Sequence, residues 1–139
     1  MIEKSTIHRK LQSVERSVNR LRTKFGPSLP EFLNNQDLQD TVLHHLQIAV
    51  QGCIDIGQHI ISDENWGLPA SLAEIATILE QKNVINSLQA KTIMRMFAFR
   101  NVLVHDYTTV NLEKVYQVWT LGLNDIEQYL QSLRIHFSL

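Results

Sequence analysis

The chain has 139 residues, 44% of them apolar and 19% charged, which is the balance of a folded domain rather than of a disordered segment. Five glycines and three prolines are too few for a chain built of short strands and turns, and one cysteine excludes an internal disulfide. The net charge of −1 hides an uneven distribution. Residues 1–26 carry seven lysines and arginines against two glutamates, a block that could steer an anion or an acidic partner, or simply form a solvated helix face.

The opening "MIEKSTIHRK" lacks the apolar centre of a signal peptide, and no apolar run approaches the roughly 18 residues of a membrane span. A cytoplasmic protein is expected. The first helix is predicted over residues 5–25, where Ile7, Leu11, Val14, Val18, Leu21 and Phe25 alternate spacings of four and three and so make one apolar stripe. Arg9, Arg16 and Arg20 fall on the other side of that wheel. "GPSLP" stops the helix, because proline lacks the backbone donor and disfavours helical geometry in the residue before it.

A second helix is predicted over residues 37–62, with Val42, Leu46, Ala49, Val50, Cys53, Ile56, Gly57 and Ile60 on its apolar face. Cys53 reads as an inert core thiol. "DENWGLP" interrupts the pattern, and Trp66 beside Gly67, Leu68 and Pro69 reads as a loop anchor. Ser71 and Glu74 have capping-box spacing and open a short third helix, "SLAEIATILEQK". Asn86 and Gln89 repeat the signal for a fourth, carrying Ala90, Ile93, Met94 and Phe97. A last helix over residues 111–137 has Leu112, Val115, Trp119, Ile126, Leu130, Leu133 and Phe137 in register. The expected fold is all-α, an antiparallel up-and-down bundle of three long and two shorter helices in one domain spanning residues 1–139.

Where the fourth helix ends, "FRNVLVHDYTT" brings Arg100, His105 and Tyr107 close together in sequence. Arginine offers a permanently charged planar fork for phosphate oxygens and for the added charge of a phosphorane transition state. Histidine can take and return a proton near neutrality. The pair would suffice for metal-independent RNA cleavage, in which the ribose 2′-hydroxyl attacks the neighbouring phosphorus and leaves a 2′,3′-cyclic phosphate. On one continuous helix, however, residues 100 and 105 diverge by roughly 140°. Either the helix unwinds before His105 or a second chain supplies the other half of the site. The structural reading makes Arg100 a charge at a helix C-terminus, His105 a cap and Tyr107 a residue at the core edge.

Other clusters are weaker. Asp55 and His59, four apart, read either as a surface pair or as a carboxylate that orients an imidazole or Arg100. Adjacent His44 and His45 point about 100° apart, which disfavours a shared metal ion. No HExxH motif, carboxylate cluster or cysteine pair is present, so no metal and no cofactor is expected. Met94, Met96, Phe97 and Phe99 read mostly as core, with Met96 or Phe99 a candidate for a dimer seam.

From "LQDTVLHHLQIAVQGCIDIGQHIISDENWGLP" to "FRNVLVHDY", about residues 38–107, the chain resembles the HepT toxins of the HEPN superfamily. The resemblance implies a homodimeric, metal-independent ribonuclease encoded beside a minimal nucleotidyltransferase antitoxin of the MntA type. It implies Arg100 and His105 as the RxxxxH catalytic pair, with Asn101 and Asp106 supporting them. It also implies Tyr107 as the tyrosine that receives AMP from the antitoxin. The alternative is a non-catalytic helical adaptor that presents a substrate to such a nucleotidyltransferase. Arg9, Arg16 and Arg20 become candidates for contact with RNA or with the antitoxin.

Overall fold

A computed structural model describes the backbone of residues 1–105 and 110–139, and all of their side chains except those of Val104 and His105. The described residues form α1 (Lys4–Thr23), α2 (Leu29–Leu33), α3 (Gln36–Asp63), α4 (Leu72–Gln81), α5 (Ser87–His105), α6 (Leu112–Leu121) and α7 (Leu123–Phe137). They include no strand.

Helices α1 and α3 form the spine. Ile7, Leu11, Val14, Val18 and Leu21 are buried, as the stripe of α1 predicts, and they pack along α3. Gly52 of α3 sits under Val14, where an added Cβ would lie 2.4 Å from the valine Cγ2. The missing side chain is what lets the two helices approach so closely. Arg9, Arg16 and Arg20 are exposed, on the side away from the core.

Two features depart from the predicted outline. The "GPSLP" break is followed by α2, whose N-cap Ser28 accepts from the backbone N–H of Glu31 at 3.3 Å. This five-residue helix exists to insert Phe32, which is fully buried with its ring 5.6 Å from those of both Tyr116 and Trp119. Burial of such a ring stabilises by about 1.5–3 kcal/mol. Gln39 donates to the carbonyls of Phe32 and Leu33 at 2.9 and 3.1 Å, satisfying the end of α2. Trp119 donates from its indole N–H to Leu21 O at 2.8 Å, and the Tyr116 hydroxyl donates to Pro27 O at 2.9 Å. The loop after α1 is thereby fastened to α6. Phe25, predicted to extend the α1 stripe, lies beyond the helix and is 41% exposed.

The second departure is at Gly122, where the predicted last helix divides into α6 and α7. A Cβ at this position would meet Val118 O at 2.7 Å, so the backbone can turn here only because the residue is glycine. Trp119 still reaches the core before the turn, and Leu123, Ile126, Tyr129, Leu130 and Leu133 are buried after it.

Candidate active site

Helix α5 carries the motif, and its position is set by contacts at both ends of its buried face. Asn86 and Gln89 form the expected reciprocal cap: Gln89 N–H donates to Asn86 Oδ1 at 2.8 Å and Asn86 N–H to Gln89 Oε1 at 3.1 Å. The Gln89 amide also donates to Ser132 of α7 at 2.8 Å. Further along, Phe97 packs edge-on to Tyr129, ring centres 6.1 Å apart. The Tyr129 hydroxyl donates to Cys53 O of α3 at 3.0 Å. Burial pushes both the Cys53 thiol and the Tyr129 phenol upward in pKa. Both stay neutral, so Cys53 is the inert core thiol that its surroundings predict.

With Phe97, Phe99 and Leu103 buried, Arg100 falls at the edge of the core and faces α3. Its Nε donates to the side-chain oxygen of Gln51 at 2.8 Å. The nitrogen of the same amide donates to Asp55 Oδ1 at 2.9 Å. A carboxylate accepts and does not donate, so Asp55 fixes the amide with its NH₂ toward the carboxylate and its oxygen toward the arginine. Nη1 of Arg100 reaches Asn101 Oδ1 at 3.3 Å. Among the described residues no carboxylate pairs with the guanidinium. Held at Nε and Nη1, the guanidinium has no partner for Nη2 among the described residues and can offer it to an anion.

Gln51 is the residue that sequence reasoning missed. Its only signal was a spacing of four from Asp55. Of the pair singled out on this helix, Asp55 serves the chain to Arg100. His59 turns instead toward Asp63, with Nε2 at 3.2 Å from its carboxylate but without hydrogen-bond alignment.

The backbone of α5 remains helical through His105, so the unwinding considered as one route to a single-chain site does not occur before that residue. The His105 side chain, Asp106 and Tyr107 lie outside the described residues. Asn101 is exposed beside Arg100. Met96 and Phe99 line a groove of about 320 Å³ with Arg95, Lys114 and Val118. The His44 and His45 rings stand edge-to-face, 5.1 Å apart. Burial, and then the charges of His44, Arg20 and Lys24, lower the pKa of His45. Among the described residues no three histidine, cysteine or acidic side chains are grouped to hold a metal ion, and no helix is long and apolar enough to cross a membrane.

The fold is the helical bundle of the HEPN superfamily. Residues 14–133 match the family described as "Ribonuclease HepT-like", and the chain belongs to that family. It is 32% identical over 125 residues to the mRNA nuclease HepT of Shewanella oneidensis, spanning 90% of this chain and 93% of that one. It is also 26% identical over 132 residues to the tRNA nuclease HepT of Aphanizomenon flos-aquae, spanning 95% and 90%. Among solved structures, the tri-AMPylated Shewanella oneidensis HEPN toxin in complex with its MNT antitoxin superposes with a TM-score of 0.83 at 32% identity, covering 93% of this chain and 96% of the toxin. The cytosolic protein YutE of Bacillus subtilis superposes with a TM-score of 0.86 at 14% identity, covering 99% and 92%, a likeness of fold alone.

Proposed function

We propose that this protein is the toxin of a toxin–antitoxin pair, a metal-independent endoribonuclease that cleaves cellular tRNA or mRNA. The observation that carries the reading is Arg100, held through Nε by Gln51, on a helix that ends at His105 in a chain of the HepT-like ribonuclease family. Arg100 binds the scissile phosphate and stabilises the phosphorane. His105 takes the proton of the 2′-hydroxyl as that oxygen bonds to phosphorus. The bond from phosphorus to the 5′-oxygen then breaks, and a protonated imidazole supplies its proton. The products are a 2′,3′-cyclic phosphate and a 5′-hydroxyl.

Because α5 is helical through His105, positions 100 and 105 fall roughly 140° apart around its axis. That divergence supports a homodimer whose two chains complete a shared cleft. Asn101 and Asp106 support the pair. The partner that silences the enzyme is an MntA-type nucleotidyltransferase, which transfers AMP to Tyr107. The bulky anionic group would occupy the path of the RNA backbone and compete for Arg100. Of the exposed cations of α1, Arg20 meets RNA and the outward Arg9 and Arg16 meet the antitoxin, and the protein acts in the cytoplasm.

The deciding experiment is expression of the lone gene from a tightly controlled promoter. A nuclease arrests growth, and His105→Ala restores it while the purified variant keeps its helicity and dimeric mass. Cleavage retained by His105→Ala, free of contaminating nuclease, would falsify the assignment. A parent gene that is tolerated would favour the adaptor role.

A further inference from the structure

Between α1 and α3 runs a groove of about 440 Å³, lined by Lys10, Ser13, His44, Ile48, Gln51 and Asp55. On α1 and its C-cap, Lys10, Ser13, Ser17, Arg20 and Lys24 recur at spacings of three and four and so share one flank. On α3, His44, Ile48, Gln51 and Asp55 do the same. Glu3 meets Asp63 and Val14 meets Gly52, so α1 and α3 run antiparallel, and Arg20 and Lys24 follow toward the His44 end of the groove. Gln51 lines the groove and also holds Arg100.

Two cations of the bundle are paired. Arg22 is neutralised by Glu127 at 2.8 Å, and Arg134 pairs with Glu15. Lys10, Arg20 and Lys24 have no carboxylate partner among the described residues. Three uncompensated charges spread over about 21 Å of chain suit a ligand that carries several negative charges along its length.

We propose that this groove is a track for the backbone of single-stranded RNA, which Lys10, Arg20 and Lys24 contact through phosphates and which leads the strand to Arg100. The inference rests on the ribonuclease reading and deepens it. An acidic protein surface would also meet these cations, but it would not require a groove joined to the phosphate-binding arginine through Gln51. The outward Arg9 and Arg16 lie off the track.

The test uses the full-length protein and a fluorescein-labelled 2′-O-methyl oligonucleotide of about a dozen residues, which lacks the attacking hydroxyl. The triple variant Lys10→Gln/Arg20→Gln/Lys24→Gln should bind at least about tenfold more weakly at ~0.1 M salt. Its slope of log affinity against log salt should be shallower by about 2, from three lost contacts at ~0.7 each. Arg9→Gln/Arg16→Gln should match the parent in both. The track is overturned if the triple variant binds like the parent, if both variants lose equally, or if the triple variant loses only the antitoxin. Where the parent binds and cuts RNA, those results leave the ribonuclease reading standing; a parent that does neither removes both.

Discussion

Arg100 of α5 and Gln51 of α3, forty-nine positions apart in sequence, meet through a single 2.8 Å bond from Nε to the amide oxygen. That bond fixes the plane of the guanidinium, and Asp55 fixes the amide in turn at 2.9 Å. Gln51→Leu should therefore lower kcat by about tenfold, the order expected from about 1.4 kcal/mol of lost positioning, with a smaller effect on KM. Asp55→Asn should lower kcat less. In the Gln51→Leu background it should do nothing further, because it acts through the amide. Additive losses in a double-mutant cycle would show that the two side chains act separately.

Charge alone should not replace the fork. Arg100→Lys keeps the cation but loses the bond to Gln51 and the paired donors. Cleavage should drop by roughly two orders of magnitude, as for other single transition-state donors. Single-turnover cleavage of a defined oligonucleotide measures this, and activity within a few-fold of the parent would remove the geometric role of the guanidinium.

The silencing reaction has a mass signature. Co-expression with the neighbouring nucleotidyltransferase should add whole AMP residues to the intact protein, and Tyr107→Phe should abolish the additions while leaving cleavage intact. Persistence of the adducts in the phenylalanine variant would move the acceptor elsewhere.

Close approach of α1 and α3 sets a packing prediction. Gly52→Ala gains up to about 1 kcal/mol of helix propensity, but its methyl would press on a stiff β-branched side chain 2.4 Å away. Overpacking costs about 1–3 kcal/mol, so the net effect in urea unfolding should be destabilising. Adding Val14→Ala should relieve the clash, leaving a double variant more stable than the sum of the two single changes.

His45 supplies a pH dependence of known sign. Burial, His44, Arg20 and Lys24 hold its pKa below the ordinary 6.5, so the unfolded chain binds a proton more readily than the folded one. Stability from this group is complete above about pH 6.5 and declines as pH falls toward the lowered value. Thermal midpoints measured between about pH 7 and pH 5 should fall less in His45→Gln than in the parent.

Much of this architecture was legible in the sequence because it rests on local pattern. The stripe from Ile7 to Leu21 and the caps at Ser71 and Asn86 follow from periodicity and hydrogen-bonding chemistry. Helix α2 also had a signal, since Ser28 and Glu31 share the spacing of those caps, but two nearby prolines masked it. The turn at Gly122 had almost none. Trp119 and Ile126 are seven apart and stay in phase across it, so the pattern reads as one unbroken helix. Arg100 was visible through its motif, whereas Gln51 was not. Nothing local marks a glutamine whose partner becomes adjacent only when α5 docks on α3.

Phe32, wedged between Tyr116 and Trp119, has a consequence beyond its own burial. It clamps the connection between α1 and α3 to a third helix, so the two walls of the groove cannot swing apart about that connection. The cleft's width is settled as the chain folds, and an incoming strand meets a rigid mould instead of paying the entropic penalty of shaping one.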